Sequence, residues 1–248
     1  MIKEFLYDGS FEGLLTAIFY AYPEKCEVKI TKRSLHMPSL LSDIKEIATE
    51  ENKASRVYEG IKEKLSLSTL ENIYYLYLSE LSGSETLIYE YIKLCFTYGD
   101  SINLAKHHDI IRMVDQYTKR VTYEAHRFTG FVRFNQISSM IFYAKIEPDH
   151  HILPLIAPHF TTRFSDQHFI IHDLKRELAA VYDQKNMVIK PLSIEEGKNL
   201  LSLSRDDRYE NLFKSFCISL TIEERINKRL QTQHMPRRYH KHLTEFKP

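Results

Sequence analysis

The chain has 248 residues, and 43% of them are hydrophobic, which is enough to bury a core in one large domain or two small ones. No stretch of about 18 apolar residues is present to cross a bilayer, and charged residues interrupt the N-terminus where a secretory signal is apolar. We therefore expect a cytoplasmic protein that makes no membrane contact. The formal net charge is only +1, but the charged residues are unevenly distributed.

The chain contains an acidic region in its first half and a basic C-terminus. Residues 41–100 contain eleven acidic and six basic residues, whereas residues 225–248 contain seven basic residues and one acidic residue. The basic C-terminus also carries Tyr239 and Phe246, and cations interleaved with aromatic rings are typical of a nucleic-acid contact. A solvated helix rich in lysine and arginine has the same composition, so charge alone leaves both interpretations open.

The three cysteines are odd in number and far apart in sequence, at Cys26, Cys95 and Cys217. This pattern indicates neither a disulfide framework nor a closely spaced thiolate metal site. We expect buried free thiols and no bound cofactor, and any iron–sulfur chemistry has to come from another chain.

The first 100 residues are predicted to be mostly helical. They begin with a strand over "KEFLYD" and a helix capped by Ser10. A second strand over "CEVKI" follows, and residues 41–47 are expected to form a short helix. Three further helices, joined by short connections and expected to pack as neighbours, are predicted over "ASRVYEGIKEKL", "STLENIYYLYLSEL" ended by Gly83, and "SETLIYEYIKLCFTYG" ended by Gly99.

The next helix, predicted over residues 107–128, has two different faces. Apolar residues recur at spacings of three or four and predict one buried face. The same spacing produces a basic stripe with an aromatic residue between cations, formed by Arg112, Gln116, Arg120, Tyr123 and Arg127. Guanidinium groups match phosphate oxygens and a tyrosine can stack on a base, so this stripe favours nucleic-acid binding. The alternative is a solvated face with ion-pair partners at Asp109, Asp115 and Glu124.

After this helix the hydrophobic period changes to 2, which predicts an antiparallel sheet of about five strands within residues 101–191. Its helical neighbours, from the N-terminal half and the C-terminus, must cover the sheet, so the predicted fold class is α+β. A short helix within residues 148–164 is expected to place His159 and Arg163 on one face. The strands form two hairpins and an edge strand: "FVRF" with "SSMIFYAKI", "FIIHD" with "ELAAVYD", and "MVIKP".

The C-terminal residues 192–248 are predicted to be basic and helical. Capping-box spacing occurs twice, between Ser204 and Asp207 and between Thr221 and Glu224. It predicts helices over residues 204–220 and 221–233, and Pro236 stops the second.

Histidines raise the question of catalysis or metal binding. In the predicted strand "FIIHD", Ile170 and His172 share one face and Asp173 lies on the other, which weakens any acid–base pair formed by neighbouring residues. His172 itself is more typical of a structural or binding group than of a catalytic one. Eight histidines between His107 and His172 could still converge on a metal, although no glycine-rich phosphate loop, nucleophile elbow or zinc signature is present.

Five segments spread over nearly the whole chain carry a family resemblance: "FLYDGSFEGLLTAIFYAY", "EAHRFTGFVRF", "IEPDHHILPLIAPHFTTRF", "FIIHDLKRELAAVYD" and "ERINKRLQTQHMPRRYHKHLTEF". Together they resemble a family of uncharacterised bacterial proteins described as probable DNA metabolism proteins. This extent implies a single domain over residues 1–248. The matching positions are Phe11, Glu12, Gly13, Glu124, His126, Arg127, Gly130, Phe131, Arg133, Pro148, His159, Phe160, Arg163, Asp173, Arg176, Asn227, Pro236, Arg238 and Tyr239.

The resemblance implies a setting in DNA metabolism or repair. Members are typically encoded beside a radical-SAM protein of DNA modification or repair, and a similar domain is fused to uracil-DNA-glycosylase-like domains. The radical-SAM protein would then carry the cluster, while this chain binds substrate or partner. The chain departs from the family by having no tryptophan, with Phe169 and His240 where one is expected, so a stacking role for position 240 is in doubt.

Three hypotheses follow. The first is a DNA-binding accessory protein whose contacts are Arg120, Tyr123, Arg127, Arg133, His159, Arg163, Arg176, Arg237, Arg238 and Tyr239. The second is an enzyme acting on a nucleic-acid base or phosphate, with His126, His159 or His172 as general acid–base. The third is a purely protein-binding subunit of the radical-SAM partner.

Overall fold

The computed structural model describes residues 2–37, 42–203 and 208–246. The chain forms two compact units, Met1–Thr122 and Tyr123–Pro248, and the boundary falls inside a long helix. Each unit contains its own β-sheet. Within the described ranges, no helix combines the length and the apolar character that crossing a membrane requires.

The first unit is built on a three-stranded parallel sheet with the order β2-β1-β3. Its elements in chain order are β1 (Ile2–Tyr7), α1 (Phe11–Ala21), β2 (Val28–Lys32), β3 (Ser42–Glu46), α2 (Glu51–Lys64), α3 (Leu67–Ser79), α4 (Ser84–Tyr98) and the first part of α5 (Asp109–Phe131).

The core of the first unit lies between this sheet and helices α1 to α4. The predicted cap of α1 is confirmed, because the backbone N–H of Gly13 donates to Ser10 Oγ at 2.9 Å. The three helices that follow are also confirmed. Gly99 follows the end of α4 as predicted, but α3 ends at Glu80, whose φ of 50° is left-handed, rather than at Gly83.

The prediction of a helix over residues 41–47 was wrong, because residues 42–46 form β3. This strand is mostly exposed, so its own residues carry little hydrophobic pattern. Its conformation comes from parallel pairing with β1, and the backbone N–H of Ile47 continues the pairing by donating to Leu6 O at 2.8 Å. Leu41 lies outside the described residues.

The second unit contains a five-stranded sheet with the order β4-β5-β6-β7-β8, contacted by α6 and α7. Its elements after α5 are β4 (Phe134–Ser138), β5 (Ile141–Ile146), α6 (Leu153–Arg163), β6 (His168–Asp173), β7 (Leu178–Tyr182), β8 (Met187–Pro191), α7 (Ile194–Ser202), α8 (Arg208–Ser219) and α9 (Lys228–His234). The α+β class and the five strands of the second half are confirmed.

The sheet is mixed, so the prediction of a purely antiparallel sheet was wrong. Both hairpins are antiparallel, but β5 and β6 pair in parallel, with Tyr143 opposite Ile170. Parallel neighbours need a crossover connection, and α6 supplies it. The sequence pattern identified this helix and both hairpins but not the direction in which the second hairpin joins the first.

The C-terminal helices agree with the prediction only in part: α8 (Arg208–Ser219) lies within the predicted helix over residues 204–220, but its neighbours differ. Helix α7 was not predicted, although Ser193 and Glu196 form a complete capping box. The box at Thr221 is not formed, because its hydroxyl donates to Cys217 O at 2.8 Å. The last helix starts instead at Lys228, capped by Asn227, and the other predicted box, at residues 204 and 207, lies outside the described residues.

Buried thiols were predicted for all three cysteines, and this is wrong for Cys26. Cys95 is buried in the first core, Cys217 is partly buried and Cys26 is exposed. Cys26 lies in the loop between α1 and β2, outside the hydrophobic core.

Candidate nucleic-acid interface

An open basic groove lies in the C-terminal segment of the second unit. It has a volume of about 520 Å³ and is lined by Lys228, Arg229, Thr232, Gln233 and Arg237. Lys228 and Thr232 are four residues apart on α9, as are Arg229 and Gln233, and residues four apart lie above one another on a helix. Among the described residues, no acidic side chain forms an ion pair with any of the three cations of this groove.

The end of the predicted basic stripe reaches this groove. Arg127 Nη2 donates to the backbone oxygen of Gln233 at 3.2 Å, so α5 is tied to the helix that forms the groove. Tyr123, one turn earlier on α5, is 64% exposed and shares a face with Arg127. The structure therefore brings one exposed aromatic ring and four cations into the second unit's basic surface.

The earlier part of the stripe belongs to the first unit. Arg120 is exposed and its guanidinium lies 5.8 Å from the Tyr117 ring centroid. Arg112 pairs with Asp109 at 2.8 Å, as the alternative of a solvated face predicts.

Two predicted contact residues are instead held in intramolecular ion pairs. Arg133 forms a two-point pair with Glu245, at 2.7 and 3.2 Å. The side chain of Arg176 is 8% exposed and pairs with the fully buried Asp173 at 2.8 Å. Burial raises the pKa of Asp173 and the Arg176 charge opposes that rise. A guanidinium that compensates a buried carboxylate cannot leave it without a large cost, so we remove Arg133 and Arg176 from the proposed contacts.

Tyr239 is likewise internal, at the centre of a buried polar cluster that sequence reasoning missed. Glu124 is only 4% exposed and accepts the backbone N–H groups of Asp149 at 2.7 Å and His150 at 2.8 Å, together with the Tyr239 hydroxyl. Burial raises the pKa of Tyr239, which keeps this hydroxyl protonated and able to donate. Arg238, half-exposed, pairs with Asp149 at 2.7 Å.

This cluster, formed by Glu124, Asp149, Arg238 and Tyr239, positions the groove. It fixes the 3-10 turn Arg237–His242 on α5, where the Tyr239 ring also packs edge-on to Phe128 at 4.9 Å. Arg237 is the first residue of that turn and lines the groove. The cluster therefore supports the turn that carries Arg237, and the cations of the groove lie beside it.

His159 and Arg163 lie on α6 as predicted, and both are exposed. His159 meets the Phe160 ring at 5.1 Å and the Arg163 guanidinium lies 5.8 Å from the Phe164 ring. No described acidic residue pairs with either side chain. Arg163 therefore remains free to contact a phosphate.

His172, the third catalytic candidate, is fully buried with both ring nitrogens engaged. Nε2 lies 2.9 Å from the carbonyl oxygen of Leu192, which can only accept, so Nε2 carries the proton. Nδ1 then accepts from the Tyr143 hydroxyl at 2.8 Å. This arrangement holds a neutral imidazole in a structural role, and desolvation lowers its pKa.

The lowered pKa of His172 predicts a loss of stability in acid. Below about pH 6.5, its ordinary value, the unfolded chain takes up a proton that the folded chain does not. The contribution of His172 is thus fully present above that pH and falls by up to about 1.4 kcal/mol per unit below it, although Glu177 and Glu196 oppose the shift. Urea unfolding at pH 7 and pH 5 should show this loss.

The matched control is His172→Gln, which should be less stable at pH 7 but show a smaller difference between the two pH values. His242, whose pKa burial also lowers, is present in both proteins and cancels. A His172 imidazole that titrates near its ordinary value in NMR spectra would contradict the assignment.

The histidines show no metal site within the described ranges, where no three His, Cys, Asp or Glu side chains are placed to share an ion. The remaining catalytic candidates, His126 and His159, are exposed. Neither imidazole hydrogen-bonds to a carboxylate of the described residues. The geometry thus gives these rings no oriented acid–base partner.

A family model described as a domain of unknown function, DUF4130, matches residues 82–245. No curated protein matches the chain. The matched span includes the five-stranded sheet, the buried polar cluster and all residues of the basic groove.

Proposed function

The chain belongs to the DUF4130 family of domains of unknown function, and we propose that it is a DNA-binding accessory protein of DNA metabolism or repair. The observation that carries the proposal is the open groove in which Lys228, Arg229 and Arg237 have no acidic partner among the described residues. Unpaired cations in an open groove match the phosphates of a nucleic-acid backbone. The exposed ring of Tyr123 adds a surface on which a base can stack.

The resemblance to the DNA metabolism proteins supplies the choice of DNA and of a radical-SAM partner. The composition of the groove fits either single or double strands, because both present a phosphate backbone to cations. Arg120 and Arg163 extend the proposed contacts beyond the groove, whereas Arg238 is held by its pair with Asp149.

Removing the groove cations should weaken DNA binding and flatten its salt dependence. Each phosphate contact contributes about 0.9 to the log–log salt slope on duplex DNA, so Lys228→Ala, Arg229→Ala and Arg237→Ala should each lower the slope by nearly one. The triple variant should bind at least about tenfold more weakly at moderate salt. Fluorescence anisotropy of labelled single- and double-stranded DNA across a salt series measures both quantities.

Lys185→Ala is the matched control, since Lys185 is an exposed cation of the same unit outside the groove. It should leave the affinity and the slope nearly unchanged. Circular dichroism checks that each variant is folded. Absence of binding by the unmodified protein at low salt would overturn the proposal, and equal effects of Lys185→Ala and Arg229→Ala would remove the groove from it.

A second candidate, a protein-binding subunit, is favoured by exposed apolar side chains on and after α8. Leu212 and Phe216 lie one turn apart on this helix, and each is more than half exposed, as are Ile218 and Leu220. Exposed apolar patches mark protein contacts more often than free surface. The radical-SAM protein implied by the resemblance is the proposed occupant, and copurification lost on Phe216→Asp but retained on Lys185→Ala would support it.

A further inference from the structure

An aromatic pocket of about 370 Å³ lies in the second unit, apart from the residues that line the basic groove. Four phenylalanines from three strands and the end of α6 form its walls, and three polar residues complete the lining: Phe134, Phe142, Phe164, Phe169, Gln136, Asp166 and Gln167. Pockets of this size and apolar character are typical of small-molecule and cofactor sites.

The strand register explains why these rings converge. Gln136 on β4 lies opposite Phe142 on β5, and Phe142 lies opposite Phe169 on β6. Directly opposed residues point to the same face of a sheet, so this row crosses three strands on one face. Phe134 is two residues before Gln136 and shares that face, and Phe164 covers it from the end of α6.

The Phe134 side of the pocket packs against other aromatic rings, whereas the Phe142 side does not. Phe134 makes edge-on contacts with Phe160, Phe164 and Phe169 at 5.4–5.8 Å. Phe142 is only half-buried, and within the described ranges its ring stacks on no other aromatic ring. The Phe142 ring therefore offers a face to a planar ligand.

The turn that carries Asp166 and Gln167 is held in place by its backbone, while these two side chains form no hydrogen bond with a described residue. The turn after α6 is fixed because Gln184 Nε2 donates to Asp166 O at 3.0 Å and the Gln167 N–H donates to Phe164 O at 3.1 Å. The turn therefore presents the two acceptor oxygens of Asp166 and the side-chain amide of Gln167 to a ligand in the pocket.

A free cation stands at the same edge. Arg163 is exposed, has no acidic partner among the described residues, and its guanidinium lies 5.8 Å from the Phe164 ring. Phe164 lines the pocket, so an anionic group attached to a ligand in the pocket would come within reach of Arg163.

We infer that this pocket binds a nucleobase everted from a DNA single strand, with Arg163 on the adjoining phosphate. Proteins that hold an everted base combine aromatic stacking with hydrogen bonds to its Watson–Crick edge, and the four phenylalanines and the Gln167 amide supply both. The Asp166 carboxylate only accepts, which favours bases with an exocyclic amino group, such as cytosine and adenine, over thymine. The inference rests on the proposed function, because it names the part of DNA that the protein would select.

The test combines two measurements on the full chain. Saturation-transfer NMR with dCMP, dAMP and TMP reports binding of single nucleotides, which the pocket and groove variants then assign to one site or the other. Anisotropy with labelled single strands of dC, dA or dT reports binding of the polymer. We expect transfer to dCMP and dAMP above that to TMP, and Phe142→Ala should weaken binding of dC strands about tenfold.

Variants separate the pocket from the groove. Gln167→Ala should reduce the preference for dC over dT strands, whereas Phe142→Leu, which keeps the pocket apolar without a ring to stack on, should resemble Phe142→Ala. Val188→Ala, at an exposed apolar position on β8, is the control and should change neither measurement. The triple groove variant should lose polymer binding but keep transfer to dCMP.

The outcomes distinguish the two proposals. Polymer binding that depends on the groove but not on Phe142 or Gln167, with no transfer to any nucleotide, would overturn the pocket and leave the proposed function standing. Transfer to dCMP that Phe142→Ala abolishes, without polymer binding, would show a site for free nucleotides and overturn both DNA binding by the groove and a DNA strand as the source of the base. Absence of both nucleotide transfer and polymer binding would overturn both the pocket and the proposed function.

Discussion

Replacing Gly197 with alanine should lower the free energy of unfolding by about 2–3 kcal/mol, the cost of inserting a methyl group into a packed interior. A Cβ at Gly197 would lie 2.5 Å from His172 Nδ1 and 2.6 Å from the Tyr143 hydroxyl oxygen. Both side chains are buried and hydrogen-bonded to each other, so neither can move aside without breaking that bond. Helix α7 therefore packs on the sheet only because position 197 has no side chain.

The direction in which Gly197→Ala changes the free energy of unfolding makes this prediction specific. Alanine is favoured over glycine by about 0.5–1 kcal/mol inside a helix, so without the close approach Gly197→Ala would stabilise the protein. Gly130→Ala is the matched control in the same unit, because a Cβ at Gly130 meets no atom within 4 Å. Urea unfolding followed by circular dichroism should show opposite shifts. Equal stabilities of the two variants would mean that α7 does not contact His172 closely.

The contrast between these glycines shows what the sequence could not provide. Helix periods and caps are local signals, and they located α1, α4, α5 and α6. The close approach at Gly197 joins elements that are far apart in sequence, and so does the parallel pairing of β5 with β6. A pattern within one segment predicts which face is buried, but it does not specify which segment packs there.

The arginines of the candidate interface illustrate the same limit. Arg127 and Arg133 have similar local surroundings, but only Arg133 meets a carboxylate, that of Glu245, which is 112 residues away in sequence. Glu124 is different, because its spacing along α5 indicated that it is buried. It follows Val121 by three residues and precedes Phe128 by four, which places it on the buried face of α5 rather than among the solvated acids.

Replacing Glu124 with alanine should destabilise the protein more than Gly197→Ala does, with a loss of about 3–5 kcal/mol in the free energy of unfolding. The carboxylate accepts two backbone N–H groups and the Tyr239 hydroxyl. Each buried donor left without a partner costs about 1–3 kcal/mol, and the Tyr239 hydroxyl would keep only a longer bond, of 3.3 Å to Asp149 Oδ2.

Conservative variants divide this cost among the hydrogen bonds. Glu124→Gln keeps the shape but presents an NH₂ group to one of the backbone donors, since each carboxylate oxygen accepts one N–H, so it should lose about 1–3 kcal/mol. Tyr239→Phe keeps the ring against Phe128 and removes only the hydroxyl, and a loss near 1 kcal/mol is expected. Urea unfolding of the three variants should give the order alanine, glutamine, phenylalanine from largest to smallest loss.

The same variants test whether the buried cluster supports the groove. Glu224→Ala, at an exposed position of the same unit, should change stability by less than about 0.5 kcal/mol. Tyr239→Phe should remain folded, so its DNA affinity can be compared directly with that of the unmodified protein. If the cluster positions Arg237, weakening the anchor of its turn should reduce affinity even though Tyr239 itself is buried and touches no DNA. An affinity unchanged by Tyr239→Phe would mean that the packing of its ring alone holds the turn.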